Sequence, residues 1–329
     1  MNTLDKLVNY INDNMLYSTV KVKEPTKYLY EFFKDVSDEY IELIYKHVVN
    51  KKIRFINSKK NAFSSYDLTV SATIAKSGNK SALLHELGHA IDCLSYEVKK
   101  NYAYYESAER VLSNNMTLHN TIKKELKENG ENILNTINYL YQTTVLDVLP
   151  EEDVKMYKYI NDLGEELRNI RKRIRKDKEK DSFKYFMLTL EDDNADKLID
   201  WIDLSKFKNR DEAYQVLKRK DEIFREFKEH KNYAKEKRKV TKSEAYTNFN
   251  RKYNLITDML GSIYDLNYTF PSHSISYFKN KGSLGIEFFA NCFETKVQND
   301  EEKINIVKTF FPNAYSMFLE LLKKMTTIE

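Results

Sequence analysis

The stretch Ser81-Ala82-Leu83-Leu84-His85-Glu86-Leu87-Gly88-His89-Ala90-Ile91-Asp92-Cys93-Leu94 decides how this chain is read. Ala82, Leu83, Leu84, Leu87, Ala90, Ile91 and Leu94 make it apolar nearly all round, the pattern of a buried helix. Ionisable groups inside such a helix are costly unless they are paired or bound to metal. His85 and His89 are four positions apart, so on a helix they stand one turn above each other on one face. A single tetrahedral Zn²⁺ can take both imidazoles from there. Glu86 lies on the flank where a metal-bound water would sit, and can take a proton from it. The bland alternative is a core helix with two hydrogen-bonded histidines; the apolar surround and the open strand pattern before it favour the metal. Gly88 costs the helix about 1 kcal/mol relative to Ala, which predicts close approach of a strand or of the metal site.

A catalytic zinc needs a third protein ligand and an open fourth position. The metzincin pattern would place Gly at 92 and His at 95, where this chain has Asp92 and Ser95. A glutamate from a later helix is the alternative. Glu287 is the best candidate, in Gly285-Ile286-Glu287-Phe288-Phe289-Ala290-Asn291, a carboxylate near the start of an otherwise apolar helix. Glu294, on the same helix face, and His119, in an amphipathic stretch, are its rivals. Asn291, one turn beyond Glu287, is placed to bond the outer nitrogen of a ligand histidine.

Around this site the chain has 329 residues, 41% hydrophobic, enough for one large domain or two ordinary ones. Only 7 Gly and 4 Pro leave little material for an all-β fold, and the Lys-, Glu-, Leu- and Tyr-rich stretches read as helices. A net charge of +4 gives no reason to expect a nucleic-acid partner. Two cysteines, Cys93 and Cys292, make no disulfide framework and are expected reduced and buried. With no signal-like start and no apolar run of membrane-spanning length, the expectation is a cytoplasmic protein with no membrane partner.

Three zones emerge. Residues 1–100 hold an amphipathic opening (Leu4, Leu7, Val8, Ile11), a possible strand at Thr19–Lys23, and one helix from Pro25 to about Val49. A short strand at Ile53–Ile56 follows, then an alternating one at Tyr66–Ile74 with one face on a core. Ser77 or Asn79 can cap the histidine helix. Residues 101–250 are charged and helical. Their basic runs, Arg168–Lys176 and Lys235–Lys239, are interleaved with acidic residues and suit solvated helix faces better than one basic groove. Residues 251–329 regain apolar density, with Ser283 able to cap a helix through about Lys296, another helix expected from Asp300 to Phe310, and a last one opened by Pro312 that ends near Met325.

The segments His85–Asp92 and Glu287–Ala290 resemble the gluzincin catalytic domain of anthrax lethal factor and its relatives. A closer resemblance is to the zincin-like domain of minor head proteins of tailed phages. It is carried by Thr257-Asp258-Met259-Leu260, Ser272-His273-Ser274-Ile275-Ser276-Tyr277-Phe278, Glu287–Glu294 and Thr309-Phe310-Phe311-Pro312-Asn313-Ala314-Tyr315. It covers roughly 65–100 and 250–329. The resemblance implies an α+β, predominantly α fold: a zincin-like core with a small edge-strand sheet, split by a long helical insertion at 101–250. It also implies one zinc on His85, His89 and Glu287, Glu86 as general base, and a tyrosine that stabilises the oxyanion. Tyr277 is the counterpart, at a longer spacing from Glu287 than the family's, and His273 stands beside it as the alternative.

The leading expectation is therefore a zinc endopeptidase acting on a protein or peptide. The strand Tyr66–Ile74 would be the edge against which an extended substrate pairs, with Ser71 and Thr73 near the scissile bond. Two other classes stay open: a virion head or neck protein that contacts head or portal proteins through an architectural zinc fold, and a toxin or effector peptidase.

Overall fold

The computed structural model describes residues 1–17, 25–64, 67–75, 79–94, 117–174, 193–230, 232–264, 266, 270, 272–273, 275–279 and 282–327. The fold is α+β and predominantly helical, with one four-stranded mixed sheet. The expected strand at Thr19–Lys23, Tyr66 and the cap candidate Ser77 lie outside the described residues. Two compact units emerge. The first comprises Met1–Ile137, Lys252–Asn267 and Pro271–Glu329, the second Asn138–Arg251 with Tyr268–Phe270. The divisions fall after Ile137 and Arg251, where the sequence reading puts 100 and 250.

The first unit opens with α1 (Thr3–Asp13), started by a reciprocal capping box between Asn2 and Asp5 and burying Leu7, Val8 and Ile11. Strand β1 (Met15–Tyr17) follows. The helix expected from Pro25 to Val49 is two, α2 (Pro25–Phe33) and α3 (Asp38–Asn50). Ser37 takes an extended backbone, and Asp38 and Glu39 fill the next first turn, where negative charge suits the helix dipole. Strands β2 (Arg54–Asn57), β3 (Ala62–Ser64) and β4 (Thr69–Ala72) complete a sheet of order β1-β2-β4-β3. The β1-β2 and β2-β4 pairs are parallel, and β3 runs antiparallel to β4. Asn57 extends the β2-β4 pairing, exchanging two 3.0 Å bonds with the main chain of Ile74.

This topology corrects one expectation. Thr69–Ala72 is flanked on both sides, so it is not an edge; among the described residues the edges are β1 and β3. Ser71 pairs with Ile56 and Ala62 across the ladder, so its backbone is taken up on both sides, and the Thr73 hydroxyl donates to Ser58 O. The strand is also shorter than its alternation suggests, because Leu68 sits at φ 52 immediately before it.

Helix α4 (Lys80–Leu94) starts at Asn79, whose side chain accepts from Ser81 N, and buries Leu83, Leu84, Leu87, Ala90 and Ile91 completely. It is followed by α5 (Thr117–Tyr141). In the second unit, α6 (Glu151–Ile174), α7 (Ala195–Leu198), α8 (Arg210–Glu229) and α9 (Tyr233–Thr241) share a core that includes Ile160, Leu163, Leu198, Leu217 and Ile223. Its basic residues are taken up in mixed-sign pairs: Arg173 with Glu212 at 2.7 Å, Arg219 with Glu166 at 2.8 Å, Lys239 with Asp153 at 2.9 Å. That dilutes any single-sign field.

Helix α10 (Glu244–Leu260) returns the chain to the first unit. Then come α11 (Ser283–Val297), α12 (Glu301–Phe310, capped by Asp300) and α13 (Pro312–Thr327). Gly282, at φ 85, takes the cap position before α11, so Ser283 is the first helical residue and not the cap. Buried Glu125 of α5 accepts from Asn313 N and Ala314 N, closing the open end of α13.

Candidate metal centre

The site rests on the crossing of α4 and α11. A Cβ on Gly88 would stand 3.0 Å from Ala290 Cα, 3.2 Å from Ala290 O and 3.3 Å from Phe293 Cβ. Gly88 is therefore where the two helix backbones touch; the close approach foreseen at this glycine is made by a helix, not a strand. Backbone contact here brings the histidine face of α4 against Glu287, which α11 buries among Leu284, Phe288 and Ala290.

His85 Nε2 lies 3.0 Å from His89 Nε2 and 3.5 Å from Glu287 Oε2, and His89 Nε2 lies 3.7 Å from Glu287 Oε1. Donors held about 2.0–2.1 Å from a tetrahedral zinc are about 3.3 Å apart. The three separations bracket that value, the two to Glu287 ending on different carboxylate oxygens, so the group is of the size zinc takes. Glu287 Oε2 is buried and makes no close hydrogen bond, its nearest polar neighbour being His85 Nε2 at 3.5 Å, which leaves room for a shared cation. The donor set, two imidazoles and a carboxylate, is one that zinc takes in catalytic sites. The fit is good.

Charge in the cluster follows burial and neighbours. Burial would lower the His85 imidazole, but the Glu287 and Glu294 carboxylates outweigh it and raise it. Burial, with His85 beside it, lowers His89 to about 4. Burial would raise Glu287, yet the two imidazoles and the Tyr277 hydroxyl bring it down to about 2. Glu86, itself 7% exposed, is pushed up to about 7 by burial against the pull of His85. The backbone N–H of Phe63, on the edge strand β3, acts on it in the lowering direction.

The remaining sequence candidates separate into two sides. On one, the Tyr277 hydroxyl donates to Glu287 Oε1, and its ring stacks on His273 with centroids 4.2 Å apart. Asp258 accepts from His273 N at 2.7 Å and lies 2.9 Å from its Nδ1. Asp258, His273 and Glu287 form a second group with ligand atoms within 4.8 Å of one another. Asp258 was missed as a site residue. Its signal was present, a carboxylate in a run where Ile256, Met259 and Leu260 are buried.

On the other side, Glu294 Oε2 lies 4.0 Å from His85 Nδ1, while its other oxygen takes Lys303 Nζ at 3.5 Å and Gln298 Nε2 at 3.2 Å. Glu294 therefore stands behind His85, away from the face that His89 and Glu287 share. Asn291 does not bond a ligand histidine as expected; its side chain donates to Glu287 O at 2.9 Å, back along its own helix. His119 is buried on α5 and belongs to neither group.

Comparisons of the chain with models of protein families, with curated proteins and with solved structures return no match.

Proposed function

We propose that this protein is a zinc-dependent endopeptidase. The observation that carries the reading is the triangle of His85, His89 and Glu287 with Glu86 beside it, a donor set of zinc's size adjoining a carboxyl group poised near neutrality. A zinc ion held there would polarise a substrate carbonyl and acidify a water. Glu86 takes the proton of the attacking water and hands it to the leaving amine. The substrate strand adds to the open side of β3, where Ala62 is exposed and Phe63 and Ser64 are half-buried.

An architectural zinc site gives no reason to bury Glu86 at that position, and structural sites are closed by four protein ligands. The discriminating experiment pairs metal analysis with a comparison of protein N-termini produced by wild type and Glu86→Gln. Near-stoichiometric zinc in both, with new N-termini only from wild type, is expected. Absence of zinc, or identical termini from the two proteins, overturns the reading.

A further inference from the structure

We infer that the apolar cavity between α5, the end of α10 and the start of α11 seats one large apolar side chain of an acidic peptide, with Lys123 and Lys127 taking that peptide's carboxylates. The role of that peptide as a substrate rests on the peptidase reading; its binding does not.

The cavity has a volume of about 260 Å³. Sites for cofactors and other small molecules usually run from about 300 to 1,000 Å³. This one is of a size for a single side chain. Leu126, Phe278 and Leu284, all buried, form its interior, and Ile263 stands at its mouth, 45% exposed. A Cβ on Gly130 would be 2.9 Å from Ile263 Cδ1, so the bare position on α5 is what lets Ile263 lie against that helix.

The charged part of the lining has one sign. Lys123 and Lys127 are both exposed, one turn apart on α5. Among the described residues no carboxylate lines the cavity, and neither ammonium is in an ion pair. The remaining polar wall is Ser262, whose hydroxyl donates to Met259 O at 2.6 Å. The two ammoniums are therefore the donors open to a ligand. Four residues of helix set them about 6 Å apart along the axis. Alternate residues of an extended peptide share a face at about 6–7 Å. A segment with an apolar residue followed by acidic residues at alternate positions thus matches the cavity and both lysines. A free amphiphile brings a single carboxylate; such a peptide brings one for each lysine.

The cavity adjoins the metal centre. The Phe278 ring meets that of Tyr277 edge-on with centroids 5.3 Å apart, and the Tyr277 hydroxyl donates to Glu287. Leu284 lies one turn before Glu287 on α11. A residue seated in the cavity is held beside the third ligand.

The test measures fluorescence polarisation on the zinc-loaded full chain carrying Glu86→Gln, so that peptides bind without being cut. One labelled peptide has a phenylalanine followed by glutamates at alternate positions; a second has lysines in their place. The acidic peptide should bind about 10-fold more tightly, and added salt should shrink the difference. Replacing its phenylalanine by alanine should weaken it by about 10-fold or more. Lys123→Glu together with Lys127→Glu, both at exposed positions, should reverse the order of the two peptides. Equal binding of the two, an unchanged order in the double variant, or no loss with the alanine peptide overturns the assignment. Octanoate binding more tightly than the acidic peptide overturns it too, giving the cavity to a free amphiphile. In the enzyme with Glu86 intact the acidic peptide should be cut faster than the basic one. If it binds through the two lysines but is not cut, the substrate role falls and the binding site stands. If both peptides are cut at one rate, the peptidase reading stands and the cavity assignment falls.

Discussion

Gly88 and Ala290 touch through their backbones: a Cβ on residue 88 would be 3.0 Å from Ala290 Cα, closer than side chains ordinarily pack. The distance between α4 and α11, and hence between the histidines and Glu287, is set at that point. Gly88→Ala gains about 1 kcal/mol of helix propensity. It also forces a methyl into a full space lined by main chain, where overpacking costs about 1–3 kcal/mol. The second effect should win. Thermal unfolding should show a lower Tm, and zinc retention during dialysis against a chelator should fall. A Tm at or above wild type with zinc retained would mean the helices part without consequence.

The third ligand can be tested against its neighbour. Glu287→Ala removes a corner of the triangle and should weaken zinc binding by more than about 100-fold, beyond what loss of a ligand's supporting partner does. Glu294→Gln leaves the triangle intact and disturbs only the carboxylate behind His85, so the weakening should stay within about 10–100-fold. Its larger effect should be on stability, because Lys303, 8% exposed, loses its anionic partner. Competition with a chromogenic chelator measures both affinities. The opposite ranking would move the ligand to Glu294.

The histidine pair and Glu287 were legible in the sequence for one reason. Each is an ionisable group in a helix whose other faces are apolar, and local periodicity alone exposes the contradiction. Asp258 carries the same signal, but its partner His273 is in a loop, and only the tertiary fold brings the two together. The edge strand was not legible. Ala62-Phe63-Ser64 is too short to show a period, and its antiparallel pairing depends on how residues 58–61 turn. The longer alternation at 66–74 drew the edge to β4 instead. The break between α2 and α3 was signalled by Ser37-Asp38-Glu39, a start sequence inside an apparently continuous helix. Asn291 was placed correctly on its helix, but its amide finds a closer acceptor in the carbonyl one turn back.

Cys93 and Cys292 are both buried thiols outside any disulfide, on the two helices that frame the site. Burial pushes the Cys292 thiol well above its ordinary value, so little thiolate forms there. Native protein at about pH 8 should react slowly with an alkylating reagent. The same protein in denaturant should take up two labels, one for each cysteine in the chain. Mass spectrometry counts them, and rapid double labelling of native protein would show that the packing between α4 and α11 opens readily.

Zinc binding should release protons, and the charge states of the ligands say which. In the metal-free site Glu287, at about 2, is ionised and His89, at about 4, is neutral throughout the neutral range, so neither has a proton to lose. His85 is raised above its ordinary 6.5, so it carries the proton that the ion must displace from Nε2. Glu86, at about 7, carries a second below that pH, and a nearby cation would drive it off. Both groups hold more protons in the free protein than in the complex. Zinc affinity should therefore rise with pH through the window around 7. Calorimetry in two buffers of different ionisation enthalpy should give between one and two protons per zinc at about pH 6, falling as pH rises. Glu86→Gln removes the second proton and leaves the one from His85, so its release should be no more than one per zinc. Zinc binding that releases no proton at that pH would mean that His85 and Glu86 both enter the site already deprotonated.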